Sequence, residues 1–324
     1  MSTQWTRRDM IRAMALGASA PVLASTGCDW QEGLQRERAS EWLTVVDARG
    51  ANRDSIEGQS PNDDALTAVL DRITLVPHHF ADVSRLDAHA VLFGQTMYEP
   101  IVVGAHPSYT GTARDEQILR GAQAAGATAV IGESGFEGGR AGDRVGPDPW
   151  ILADSVTWDP VRTMERASVL GARAIVLPVA SRATGARRVR ALSGSGIPVL
   201  VSGVAGREAA LDAMDAGARA VVLNDERRAP ILILEEVADA VGRRIPVLIS
   251  NGFVGGEDIL KALALGAAAV LVDRPVAWGL AAAGAPGVRR VVEILQQELA
   301  YAMGMSGVSN PAAISRSLVR VHAR

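Results

Sequence analysis

From Ile101 onward the chain alternates short, unbroken apolar runs with longer stretches in which apolar residues recur three or four positions apart. The runs are Ile101–Ala105, Ala129–Gly132, Trp150–Asp154, Ala174–Val179, Val199–Val204, Ala220–Asn224, Val247–Ser250 and Ala269–Val272. They recur about 20–28 residues apart, the spacing that alternating strands and helices require. Unbroken apolarity marks strands covered on both faces, as in a parallel sheet. Asp159-Pro160 predicts a helix start, an N-cap followed by proline in the first turn. Gly171-Ala172, Gly217-Ala218 and Gly266-Ala267 each end an apolar helical face and lead into the next strand. This repeated unit predicts an α/β fold, a (β/α)8 TIM barrel rather than an open sheet. A C-terminal helix over Val288 to Met303 is expected to close the ring. Residues 29–70 are polar and weakly periodic and predict a short helical N-terminal extension. The expected division is 1–28 leader, 29–95 N-terminal segment leading into the barrel, and 96–324 barrel with its C-terminal helix.

Composition narrows the classes. A net charge of −3 with no long like-charge run leaves no basic footprint for nucleic acid. The leader Thr6-Arg7-Arg8-Asp9-Met10-Ile11-Arg12 has the form of a twin-arginine export signal. The apolar stretch Ala13 to Ala24 is too short to span a bilayer. Cys28, the one cysteine in the sequence, follows Ser25-Thr26-Gly27. Two readings stand: acylation of Cys28 as a lipoprotein anchor, or ordinary cleavage near Ala24. Either way the expected location is the periplasm, free or membrane-anchored. A single cysteine excludes internal disulfides and a cysteine-based metal site.

Residues 246–275, PVLISNGFVGGEDILKALALGAAAVLVDRP, read as strand, glycine loop, helix and strand. This is the last βαβ unit of a barrel, where phosphate commonly binds in the loops after strands seven and eight. KALALGA followed by Arg274-Pro275 resembles the signature of the FMN-dependent α-hydroxy-acid dehydrogenase/oxidase family, which includes glycolate oxidase and lactate dehydrogenase. Arg72–Pro77, Phe80–Ser84, Pro286-Gly287-Val288, Leu295, Glu298-Leu299, Met303 and Gly307 extend the resemblance to roughly residues 40–318. It implies FMN as cofactor, held around Ser202, Asn251, Gly252, Gly255, Gly256 and Arg274. It implies oxidation of a 2-hydroxy acid, with Asp225 at the position of the family's histidine base and Arg228 at that of its substrate arginine. No metal is implied.

The same comparison shows departures. The family's Ser-Asn-His-Gly-Gly-Arg becomes Leu223-Asn224-Asp225-Glu226-Arg227-Arg228, and an unperturbed aspartate, with a pKa of about 3.9, is a weak base. The flavin-facing lysine becomes Ser202, Gln-x-Tyr becomes Leu152-Ala153-Asp154, and Thr-Val-Asp becomes Pro178-Val179-Ala180. Asp-Gly-Gly-x-Arg becomes Ser250 to Val254, Gly-Arg-Pro becomes Asp273-Arg274-Pro275, and Val46 stands for an active-site tyrosine. Ala180 to Pro198 leaves no room for the family's mobile lid. Glu133, Asp154, Asp225, Glu226 and Asp273 fall at strand ends, as a solvated polar rim or as a ring for a cation. Two function classes stay open: a periplasmic flavoenzyme with a remodelled site, or a non-catalytic binding or assembly subunit. The partners expected are a small-molecule ligand or a protein, including a second copy of the chain.

Overall fold

The computed structural model describes residues 68–78, 81–104, 112–133, 148–155, 157–179, 182–224 and 229–322. Among the described residues, helical residues 68–70 are followed by four short strands: β1 (Ile73–Leu75), β2 (Ala90–Leu92), β3 (Gln95–Met97) and β4 (Ile101–Val103). Alternation then sets in with α1 (Thr112–Ala124), β5 (Thr128–Gly132), β6 (Trp150–Leu152), α2 (Pro160–Leu170), β7 (Ala174–Pro178) and α3 (Arg182–Leu192). It continues through β8 (Val199–Val204), α4 (Arg207–Asp215), β9 (Ala220–Leu223), α5 (Ile231–Val241), β10 (Val247–Ser250), α6 (Gly256–Ala264) and β11 (Ala269–Val272). The chain ends in α7 (Arg274–Ala283), α8 (Ala285–Met305) and β12 (Val319–Val321).

Strands β4 to β11 form a closed parallel barrel, sealed where Val270 to Val272 of β11 pair with Ile101 to Val103 of β4. All eight barrel strands coincide with the apolar runs. Alternate residues of each strand face opposite ways, which divides the core in two. Val102, Val130, Trp150, Val176, Leu200, Val222, Leu248 and Leu271 fill the barrel interior. Their neighbours, such as Val103, Ile151, Leu177, Val201 and Ile249, pack outward against the helices.

The helix signals act as their chemistry requires. Asp159 caps α2, its carboxylate accepting from the Val161 amide at 2.9 Å, with Pro160 in the first turn. Gly171 closes that helix in the left-handed region at φ 62°. Helix α8 begins three residues before the predicted start and packs on α1, α6 and α7, completing the helical layer.

Two elements were not anticipated. The hairpin β2–β3 turns at Phe93-Gly94, both at positive φ, and sends Leu92 and Met97 into the interior cluster. Phe93 stands 5.9 Å from the Trp150 ring, so the hairpin plugs the end of the barrel at which the strands begin. β1 and β12 pair antiparallel outside the barrel, tying residues 73–75 to 319–321.

Candidate functional site

The mouth of the barrel follows from the strand parity. Two residues beyond the interior cluster, each strand end presents its next inward position. On β4 to β7 these are Gly104, Gly132, Leu152 and Pro178, a small and apolar arc. On β8 to β11 they are Ser202, Asn224, Ser250 and Asp273, a polar arc over four successive strands. The arcs meet where Ser202 pairs with Pro178 and where the Gly104 amide donates to the Val272 carbonyl at 2.8 Å. A Cβ on Gly104 would stand 3.6 Å from that of Asp273.

The polar arc is locally organised. The β8–β9 register slips between Ser202 and Val204, because Gly203 bulges out at φ 92°. The Asn224 side-chain oxygen accepts the Gly203 amide at 2.5 Å and pins that bulge. Ser202 and Ser250 are both buried. The Ser250 hydroxyl reaches the Asn251 side-chain oxygen at a long 3.4 Å. Asn251 and Gly252 both adopt positive φ, 73° and 86°, a conformation asparagine tolerates better than most residues.

The two helix N-termini after the last barrel strands are the expected anion seat. At each, one amide is bonded to a carboxylate of the protein. Asp273 caps α7, its Oδ1 accepting the Arg274 amide at 2.7 Å. The Gly256 amide, which opens α6, donates to Glu298 Oε2 on α8 at 3.0 Å. Gly256 is there for packing: a Cβ would fall 2.1 Å from the Leu299 nitrogen and 2.3 Å from the Glu298 carbonyl carbon. The Arg274 guanidinium lies 5.5 Å from the centre of the Trp278 ring, one turn along its own helix. Lys261 of the KALALGA motif is buried, with its amine 3.0 Å from Glu257 and 3.3 Å from the Leu70 carbonyl. That signature lysine therefore serves the fold.

Two of the rim carboxylates among the described residues turn to local partners. Glu133 points outward: it accepts the Asp154 amide at 3.0 Å and the Thr163 hydroxyl at 3.1 Å, 3.7 Å from Arg162. Asp154 caps its own loop through the amide and hydroxyl of Thr157, at 3.0 and 2.7 Å. Among the described residues no group of three or more His, Cys, Asp or Glu side chains is placed to hold a metal.

Of the residues assigned from sequence, Ser202, Asn251, Gly252, Gly255, Gly256 and Arg274 gather at the ends of β8, β10 and β11. Asp225 and Arg228, with Glu226, lie outside the described residues, as do Val46, Cys28 and the leader. Asn224 and Glu298 were missed as parts of the site. Asn224 had a signal, a polar residue in register with Ser202 and Ser250. Glu298 lay within the C-terminal part of the resemblance, but its bond to Gly256, 42 residues away, had no local signal.

Fold and site together define the scaffold of a TIM-barrel flavoenzyme. Residues 188–321 match the model of the FMN-dependent dehydrogenases. The chain is 30% identical to rat 2-hydroxyacid oxidase 2 over 331 residues, covering 82% of this chain and 93% of that one. It is 44% identical to a peroxisomal (S)-2-hydroxyacid oxidase of Arabidopsis thaliana over 131 residues, which span 36% of that enzyme. A crystal structure of mandelate oxidase superposes with a TM-score of 0.76 at 26% identity, covering 89% of this chain and 99% of that one. The chain belongs to the FMN-dependent α-hydroxy-acid dehydrogenase/oxidase family, whose cofactor is FMN. Its described residues do not fit that group. The Asp273 carboxylate bonds the first amide of α7 at a strand end where the resemblance has glycine, and serine stands where the family has its flavin-facing lysine.

Proposed function

We propose that this chain is an exported member of the family that binds a ligand at the barrel mouth and does not run flavin chemistry. One observation carries the reading: at the end of β11, where the resemblance places glycine, the Asp273 carboxylate accepts the first amide of α7. A phosphate would have to displace a bonded carboxylate and then stand beside its charge, which is unfavourable in a partly desolvated site. The replacement of the base by Asp225 and of the lysine by Ser202 points the same way. The test is the absorbance spectrum of the purified full chain, followed by lactate, glycolate and mandelate turnover with added FMN and an artificial electron acceptor. No flavin band and no turnover are expected. A flavin band near one equivalent that survives gel filtration would overturn the proposal.

A second reading has support in the retained Arg274 and the left-handed Asn251-Gly252 turn, which suit a remodelled flavoenzyme. In that case Asp225 is the base, and Asp225→Asn abolishes turnover with the fold intact, since a general base typically contributes about 10²–10⁴-fold.

Export through the twin-arginine route is part of the proposal and rests on Thr6 to Arg12. That route carries folded proteins, which suits a barrel with so interlocked a core. Attachment through an acylated Cys28 would hold it at the membrane.

A further inference from the structure

We propose that the β2–β3 hairpin is a pH-sensitive plug of the barrel base, closed in acid and open more often as pH rises, with Glu99 at its neck as the sensing group. The juxtaposition behind it is a short, strained hairpin whose apolar residues fill the base of the barrel and whose neck carries a partly buried carboxyl. The proposal does not depend on what the mouth, at the other end of the barrel, binds.

The hairpin has little stability of its own. Its strands are three residues each, and an isolated two-stranded hairpin is marginal in water. Contacts with the barrel therefore keep it in place. Leu92 and Met97 are buried in the interior cluster, and Phe93 packs on that cluster 5.9 Å from the Trp150 ring. The turn stores strain, since Phe93 stands at φ 53°, a left-handed conformation that a bulky side chain adopts at a cost. The outer face adds nothing, because Val91 is 71% exposed. Such an element opens locally for much less free energy than global unfolding takes, so a modest electrostatic change shifts its population.

The neck supplies that change. Ala90 pairs with Met97, and one step outward the His89 and Tyr98 rings lie 5.3 Å apart. Tyr98 also lies against Gly126, where an added Cβ would fall 2.8 Å from its ring. Glu99 comes next, partly buried, with one carboxyl oxygen enclosed and without a hydrogen-bond partner. From the hairpin side the charged group facing it is His89, whose Nδ1 stands 2.5 Å from Asp87. From α8 the facing group is Gln296, which is neutral and also donates to the Ala125 carbonyl at 3.2 Å. Burial pushes the Glu99 carboxyl up, against the smaller opposing influences of His89 and Gln296.

The sign follows from linkage. The closed hairpin holds the Glu99 proton more tightly than the open one, in which the carboxyl is solvated. Closure is therefore fully favoured below the ordinary value of 4.5 and weakens as pH rises through the raised value of the closed form. Opening bares Leu92, Met97 and the base of the barrel.

The experiment is amide hydrogen exchange of the full chain, read by mass spectrometry from about pH 4 to about pH 8, a range that spans carboxyl titration, with intrinsic exchange rates divided out. Residues 89–99 are the probe and barrel strand β5 is the internal reference. Protection of 89–99 in the wild type should fall severalfold across the range while that of β5 stays level. In Glu99→Gln, which keeps the shape and loses the titration, the fall should disappear. His89→Gln removes the opposing charge and should leave the fall unchanged or larger. Level protection of the wild-type hairpin would overturn the proposal, as would a fall that survives in Glu99→Gln. A fall that vanishes in His89→Gln would overturn it too, by making the imidazole the sensor.

Discussion

Replacing Asp273 by glycine tests the central argument, because the family has glycine there and the side chain does two separable things. The first is to cap α7. Glycine in place of aspartate at an N-cap costs only a few tenths of a kcal/mol, so Asp273→Gly should melt within about 1 °C of the wild type. The second is to exclude an anion. The Asp273 oxygen sits 2.7 Å from the Arg274 amide, where a phosphate oxygen would accept. Removing it returns that donor, and a hydrogen bond to a charged acceptor contributes about 1.5–3 kcal/mol. It also removes a negative charge about 4 Å from the incoming anion. That repulsion is roughly 4 kcal/mol at an effective dielectric constant of 20, and about half of it remains after solvent screening of a half-buried group. The sum, about 4 kcal/mol, corresponds to roughly a thousandfold in affinity. Even a third of that is easily read. Phosphate titration followed by the melting temperature is the assay, since phosphate at a hundred times its dissociation constant would stabilise the variant by about 2.7 kcal/mol. Asp273→Gly with Val254→Arg, which returns the family's second phosphate contact, should bind tighter still and extend to FMN. A well-folded Asp273→Gly that binds phosphate no better than the wild type would show that Asp273 does not gate the seat.

Three further outcomes follow from the geometry. Gly256→Ala should destabilise by about 3 kcal/mol or more, from backbone overlap with Leu299 and Glu298 and a strained buried hydrogen bond. Gly206→Ala, with extended backbone and nothing within 4 Å of its Cβ, should stay within about 0.5 kcal/mol of the wild type in the same denaturant series. Burial holds the Glu99 carboxyl above its ordinary value of 4.5, against the opposing influences of His89 and Gln296. Its raised pKa means that ionisation costs stability, absent below the ordinary value and growing as pH rises through the folded one. Glu99→Gln should therefore raise the melting temperature at pH 7 and not at pH 4, and an equal effect at both would refute this. Replacing Arg7 and Arg8 by lysine should strand the chain in the cytoplasm, and Cys28→Ser should release it from membranes if the cysteine is acylated. Cell fractionation reads both.

The barrel was legible because each strand is an unbroken apolar run and each helix end carries a chemical mark. Asp159-Pro160 and Gly171 act locally, so their role can be read within a few residues. The hairpin β2–β3 was missed although Phe93-Gly94 marks its turn, since three-residue strands hold too few positions to display alternation. The pairing of β1 with β12 joins segments about 245 residues apart, and two short polar-apolar strands so distant carry no sign of one another. At the site, the strand-end positions can be placed together from sequence because parity fixes which residue faces in. What sequence left open is where each polar group is spent. Glu133 falls at a strand end like Asp273 yet faces outward to Thr163 and Arg162. Gly256 reads as a phosphate-loop glycine yet is required by the approach of α8.

That distinction bears on how family likeness should be weighed here. The matched segment, residues 188–321, contains α6, α7 and α8. These helices are interlocked by close contacts that admit no side chain: Gly256 against Leu299, and Gly279 against Gly287, where an added Cβ would fall 2.6 Å from backbone oxygen. Lys261 and Glu298 are buried in the same corner and bonded within it. A sequence can therefore keep glycine, lysine and glutamate here for packing alone, whatever has become of the ligand. Strand ends obey a different constraint, because a side chain there faces the mouth and bonds locally rather than packing between helices. It is at Leu152, Pro178, Ser202 and Asp273 that the chain departs from its relatives. A flavin-binding relative gains stability from its cofactor by mass action. Where no phosphate is bound, the amides that open α7 need acceptors from the protein, and Asp273 supplies one to the Arg274 amide.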